Sequence, residues 1–421
     1  MGRMERTEFK IIKRLQTETA RQLPLAMGAW LSLPLIWPSL SDKLLNSSPV
    51  WPPHLPTTLQ PLAARLSRER ASLQDPEQAE NLRQAIADEA IARAQRFVTG
   101  LRTYHQSPVR RDAPEAPVIW QSGTTKLRDY NPAGGTVILV IPSLINRFDI
   151  LDLDADHSLL RLMASVGLRP LVVDWDAPGD DERDFRVADY VMQRLLPIVD
   201  FVTSQDAPAS RRGDVHILGY CMGGLLALAL AALWPEKARS LALMATPWDF
   251  GDGDVFCEVA DKVEPFLREL GCLPVSVIQH LFAAFQPMHA ARKFTRFATF
   301  DPASPEARRF VLTEDWLNDG VPLTAPVART CLREWYGENR TATLRWKIDG
   351  QVIDPQKLNI PSYVLVPGRD KIVPPDSALP LARLLHGATL HEPMMGHIGL
   401  LASSRAPREV WLPLIKWMAE H

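Results

Sequence analysis

The sequence is poor in cysteine, with only Cys221, Cys257, Cys272 and Cys331 among 421 residues. Their spacing makes neither a paired disulfide framework nor a zinc-ligand set, which points to a reducing compartment. Excess charge is missing as well. The chain carries 47 Lys+Arg against 49 Asp+Glu, with no basic run, so nothing in it recommends nucleic acid as a partner. An unbroken apolar run of membrane-spanning length is also absent. The nearest candidate, Leu23 to Ser41, has no charge but is interrupted by Pro24, Pro34 and Pro38. A mixed-charge segment too long for an ordinary signal n-region precedes it, and no A-x-A cleavage site follows. Two readings stay open for this stretch: an arm that lies on lipid or a hydrophobic particle, or a proline-rich arm packed on the main domain.

What is present divides the chain in two. Residues 1–117 read as an N-terminal helical and arm region. Asp75–Pro76–Glu77–Gln78 is a helix start, with an N-cap, proline at the first helical position and glutamine closing a capping box. Leu82, Ile86, Ala90, Ala94, Phe97 and Leu101 then share one helical face. Residues 118–421 alternate between strands and helices. Strands are expected at Val137–Ile141, Pro170–Asp174, Val215–Leu218, Ser240–Ala245 and Ser362–Val366, with a last one near Leu390. Helices are expected at Leu159–Val166, Val187–Val202, Leu225–Leu233 and Val410–Met418. This order predicts an α/β fold with a mostly parallel, doubly wound sheet, whose ligands bind beyond the C-terminal strand ends. Residues 248–345 interrupt the alternation and are expected to form an inserted cap. Nine of the fourteen phenylalanines fall between Phe250 and Phe310. They serve first as the cap's own core, and an aromatic cap would also give an acyl substrate a dry entrance.

The chemistry gathers at Gly219–Tyr220–Cys221–Met222–Gly223–Gly224, between an apolar strand and an apolar helix. This is the setting of a nucleophile elbow, with cysteine where serine is usual. Side chains at the three glycines would collide with neighbouring strand and helix, and the helix N-terminus favours a thiolate. A buried structural cysteine in a glycine-rich turn is the competing reading. Asp370 lies in the loop after Ser362–Val366, and His397 in Gly396–His397–Ile398–Gly399 after the next strand. The order nucleophile, acid, histidine matches what such a sheet uses for a triad. Asp174 and Asp176 also follow a strand but precede the nucleophile, and rank below Asp370. Taken singly, Asp370 reads equally as a turn aspartate and His397 as an ordinary surface histidine. The two donors for an oxyanion are expected from the Met222 N–H and from the Ser143–Leu144–Ile145 loop, through Leu144 or Ile145. Cys257, Cys272 and Cys331 lack an elbow and read as packing. A cysteine thioester preserves the activation of a thioester donor, which favours acyl transfer over simple ester hydrolysis.

At these residues the chain resembles the polyhydroxyalkanoate synthase family of the α/β-hydrolase superfamily. The resemblance is carried by the elbow, by Pro142–Ser143–Leu144–Ile145–Asn146 through Ile150–Leu151–Asp152–Leu153, and by Tyr336–Gly337–Glu338–Asn339. Asp349–Gly350, Ile360–Pro361, Asp370–Lys371–Ile372–Val373–Pro374 and Gly396–His397–Ile398 complete it. It implies an α/β-hydrolase fold and a Cys221–His397–Asp370 triad in which Cys221 holds the acyl chain. It further implies 3-hydroxyacyl-coenzyme A as donor, a polyester product, a cytoplasmic setting with storage granules, an N-terminal arm that contacts granules or a partner chain, and a homodimer. No cofactor or metal is implied, since coenzyme A enters with the substrate. The chain departs from the family pattern at Lys371 and Pro375, where histidine and tryptophan are usual, and in the spacing of Asp315–Trp316–Leu317–Asn318–Asp319. An esterase or thioesterase on the same scaffold, and a granule-bound protein without turnover, are the alternative readings.

Overall fold

The β-branched run Thr136–Ile141 shows how the molecule is organised, because its side chains alternate between two cores. Ile138 and Val140 face one apolar cluster and Leu139 and Ile141 the other, and none of the four retains any exposure. A strand buried on both faces needs covering layers on each side, which the intervening helices supply. The computed structural model describes residues 76–204, 215–251, 253–285 and 289–421. The arm at Leu23–Ser41 and the cap residue Asp75 lie outside them.

Eight strands form the central sheet: β1 (Val118–Ser122), β2 (Thr125–Asp129), β3 (Thr136–Ile141), β4 (Leu168–Asp174), β5 (His216–Tyr220), β6 (Ser240–Met244), β7 (Ser362–Leu365) and β8 (Thr389–His391). Their spatial order is β1-β2-β4-β3-β5-β6-β7-β8. β2 runs antiparallel to both its neighbours, and the pairings from β4 to β8 are parallel. The direction of winding reverses between β3 and β5, which opens a crevice at their C-terminal ends. The expected strands and helices fall close to their observed bounds. Between β4 and β5 the helical segments Val187–Tyr190, Val191–Leu195 and Leu196–Thr203 run on continuously, the middle one as a π turn.

The described chain separates into two compact units, one holding residues 76–108 and 283–308, the other 109–282 and 309–421. The helix Pro76–Gln106 buries Phe97, Leu101 and Tyr104. Within the same unit, Phe294 of the helix His289–Phe297 packs on Phe97 and Tyr104 at ring separations of 6.2 and 5.7 Å. Part of the aromatic stretch expected in the cap is therefore the partner of the N-terminal helix face. No described helix is long and apolar enough to cross a membrane.

Candidate active site

After β5 the chain reverses into the helix Met222–Leu233 within one residue, Cys221. The backbone there is left-handed, with φ 55° and ψ −128°. A non-glycine residue holds such a conformation at a cost of about 1–3 kcal/mol, so the surroundings must fix it. Two hydrogen bonds do so: the Cys221 N–H donates to the Met244 carbonyl at 2.8 Å, and its carbonyl accepts from Gly224 N–H at 2.9 Å. A Cβ on Gly223 would overlap the Ile141 and Pro142 carbonyls, and one on Gly219 would overlap the Gly224 backbone. The helix begins at Met222, directly after Cys221 and earlier than the expected Leu225, and no side chain caps it.

Asp370 and His397 arrive from the ends of β7 and β8. His397 Nδ1 donates to Asp370 Oδ2 at 2.7 Å, and both side chains are buried. The other carboxylate oxygen accepts from the Ile372 and Val373 N–H groups at 2.8 and 2.9 Å. That double acceptance holds the carboxylate in one orientation and so fixes the imidazole. With Nδ1 engaged, Nε2 is the ring nitrogen left for Cys221, whose side chain acts on the imidazole. The ring of Tyr220 packs beside the imidazole at 5.2 Å. Burial by itself lowers the imidazole's hold on a proton. The neighbouring Cys221 side chain, with the hydrogen bond to Asp370, overrides burial and raises the His397 pKa to about 10. The structure joins His397 to Asp370 by a hydrogen bond and sets Cys221 within electrostatic reach of the imidazole.

The loop after β3 lies across from the elbow and is held at several points. Trp175 Nε1 donates to the Pro142 carbonyl at 3.0 Å, Val321 N–H to Ile145 at 2.8 Å, and Trp316 Nε1 to Arg147 at 2.6 Å. Arg147 pairs with Asp319 and Asp176 at 2.8 and 3.1 Å. The Asp315–Asp319 segment, noted in the sequence for its spacing, therefore braces this loop. The Ile145 N–H leans on Ser143 Oγ at 3.4 Å, whereas the Leu144 N–H meets no acceptor among the described residues. The rival acids are committed elsewhere: Asp174 to Arg128 at 2.9 Å, and Asp176 to Arg147 and Lys126. Cys272 and Cys331 have thiols pushed up by burial, the Cys272 shift being partly offset by Arg183, which fits packing positions. Among the described residues, no group of three or more His, Cys, Asp or Glu side chains is disposed to hold a metal ion.

Sequence reasoning missed the clamp on the loop that continues from here. Asp152 has no exposed side-chain surface and accepts from Arg111 at 2.6 Å, Arg161 at 2.8 Å and Tyr130 at 2.8 Å. Its place in Ile150–Leu151–Asp152–Leu153, a charge inside an apolar run, was the available signal.

The family described as "alpha/beta hydrolase fold" matches residues 199–403. Curated relatives named "Poly(3-hydroxyalkanoate) polymerase subunit PhaC" include one from Haloferax mediterranei, 30% identical over 72% of this chain and 63% of its own length. A second, from Haloarcula marismortui, is 28% identical over 67% of this chain and 60% of its own length. A third, from Thiocystis violacea, is 25% identical over 73% of this chain and 88% of its own. The chain thus spans under two thirds of the two haloarchaeal relatives. The sheet order, the elbow and this match define an α/β-hydrolase-fold protein. Within that superfamily its curated relatives, at 25–30% identity, are poly(3-hydroxyalkanoate) polymerase subunits.

Proposed function

We propose that this chain is an acyltransferase that polymerises 3-hydroxyacyl groups, taking them from coenzyme A onto Cys221. The observation that carries the reading is a cysteine on a strained elbow, within electrostatic reach of an imidazole that a buried carboxylate orients. His397 Nε2 holds the proton that Cys221 gives up, and the sulfur attacks the thioester carbonyl. The oxyanion is met by the N–H groups of Met222 and Leu144, with Ile145 as the alternative donor in the same loop. Collapse of this intermediate breaks the bond to coenzyme A sulfur, which leaves with the proton from His397. His397 then takes the proton of an incoming 3-hydroxyl, whose oxygen attacks the acyl-cysteine and frees the sulfur. Asp370 stabilises the imidazolium at each stage. No cofactor is required. The reading includes a cytoplasmic protein acting at a granule surface reached by the N-terminal arm, and a homodimer.

Coenzyme A release from 3-hydroxybutyryl-coenzyme A tests it. Release with polymer supports the reading, release with free acid makes the protein a thioesterase, and no release makes it a binding protein. Cys221→Ser sharpens the choice, because an oxygen ester discards the donor's activation. Polymer formation is expected to be lost, whereas a hydrolase would tolerate the change better.

A further inference from the structure

One guanidinium clasps three segments near the C-terminal ends of the sheet. Arg147, in the loop after β3, pairs through Nε with Asp319 and through Nη1 with Asp176. Asp176 follows β4, and Asp319 lies just past the helix Pro305–Asn318. Lys126 of β2 adds a second cation to Asp176, at 3.6 Å. Asp176 holds φ at 53°, a left-handed conformation that a non-glycine residue keeps only when its surroundings fix it. A planar fork that reaches two carboxylates at once is what arginine supplies and lysine does not. Burial works against the Arg147 charge, and Asp319 and then Asp176 more than offset it, raising its pKa.

The clasp bears on a single peptide unit. Pro142, at the start of the loop, abuts the elbow: a Cβ on Gly223 would lie 2.4 Å from its carbonyl oxygen. That carbonyl is fixed by Trp175 Nε1, and the Ile145 carbonyl by the Val321 N–H. Asn146 forms a β-bridge with Gly320, and the Arg147 carbonyl accepts from Trp316 Nε1. Val321, Gly320 and Trp316 all belong to the segment that Asp319 fastens to Arg147. Leu144 is thus pinned from both sides and is 3% exposed, and its N–H meets no acceptor among the described residues. A buried amide left without a partner is costly, and an oxyanion developing beside it would offset that cost. We infer that Arg147, through its pair with Asp319, is a positioning residue that holds the Leu144 N–H toward the oxyanion formed at Cys221. The inference rests on the acyl-transfer reading above, and it adds residues 316–321 to what supports the oxyanion donor.

Its test compares two reactions of Cys221 in the full chain, each followed by mass spectrometry of the Cys221 peptide. Acylation by 3-hydroxybutyryl-coenzyme A passes through an oxyanion, whereas alkylation by iodoacetamide displaces iodide at a saturated carbon and forms none. Arg147→Met, which keeps an apolar stem, is expected to slow acylation roughly tenfold to a hundredfold and to leave alkylation within about twofold. Asp319→Ala, at a side chain 62% exposed, should fold normally and slow acylation selectively too, by a smaller factor because Asp176 still holds Arg147. The double variant should be no slower than Arg147→Met, because the two residues act as one unit. Acylation at the unaltered rate in both single variants, or acylation and alkylation slowed together, would overturn the inference. No adduct from 3-hydroxybutyryl-coenzyme A on unaltered Cys221 would overturn the acyl-transfer reading itself, and the inference with it.

Discussion

At the scale of single residues, the proton on His397 decides what Cys221 can do. The imidazole gains protons on folding, since its pKa rises to about 10 from an ordinary 6.5. Its contribution to stability is therefore complete below about pH 6.5 and is lost as pH rises toward 10. The imidazolium resonance of His397 should persist through pH 8 in NMR. Cys221→Ala removes a negative neighbour and should move the titration midpoint downward; an unmoved midpoint would break the pairing of the two side chains. Asp370→Asn should leave the fold intact and lower kcat for coenzyme A release by about 10²–10⁴, because the imidazole loses its orientation and its charge partner. Undiminished kcat in the Asp370→Asn variant would return Asp370 to a turn aspartate.

At the scale of elements, the site depends on two close approaches. The elbow can sit against β3 only because Gly223 presents no side chain to the Ile141 and Pro142 carbonyls. Gly223→Ala is expected to cost about 1–3 kcal/mol in a urea titration and to abolish acylation through displacement of Cys221. The loop after β3 depends in turn on the Asp152 clamp. Arg111 and Arg161 each keep about a quarter of their side-chain exposure and can recover some solvation. Asp152→Ala should therefore cost about 2–3 kcal/mol, below the loss at a fully buried pair. The central strands and the elbow were legible in the sequence because β-branched runs, glycine spacing and strand-end loops are local signals. The helix start at Met222 was not, since Gly223 and Gly224 have poor helix propensity and only close packing makes them helical. Nor was the grouping of residues 283–308 with the N-terminal helix, because aromatic content does not say which face a ring covers.

At the scale of the whole molecule, one scaffold supports both hydrolysis and transfer, and the fate of the acyl group separates them. A sulfur nucleophile keeps the acyl group activated for transfer to a hydroxyl. The account therefore expects coenzyme A release to be accompanied by oligomeric ester rather than free acid. Its central claim is that Cys221 carries the acyl chain. Mass spectrometry of the peptide containing Cys221, after brief exposure of the protein to 3-hydroxybutyryl-coenzyme A and acid quench, tests that most directly. The account predicts hydroxybutyryl units on Cys221, singly and in series, and neither adduct nor coenzyme A release from Cys221→Ala. Coenzyme A release that continues undiminished in Cys221→Ala, with no adduct on the wild-type cysteine, would contradict it.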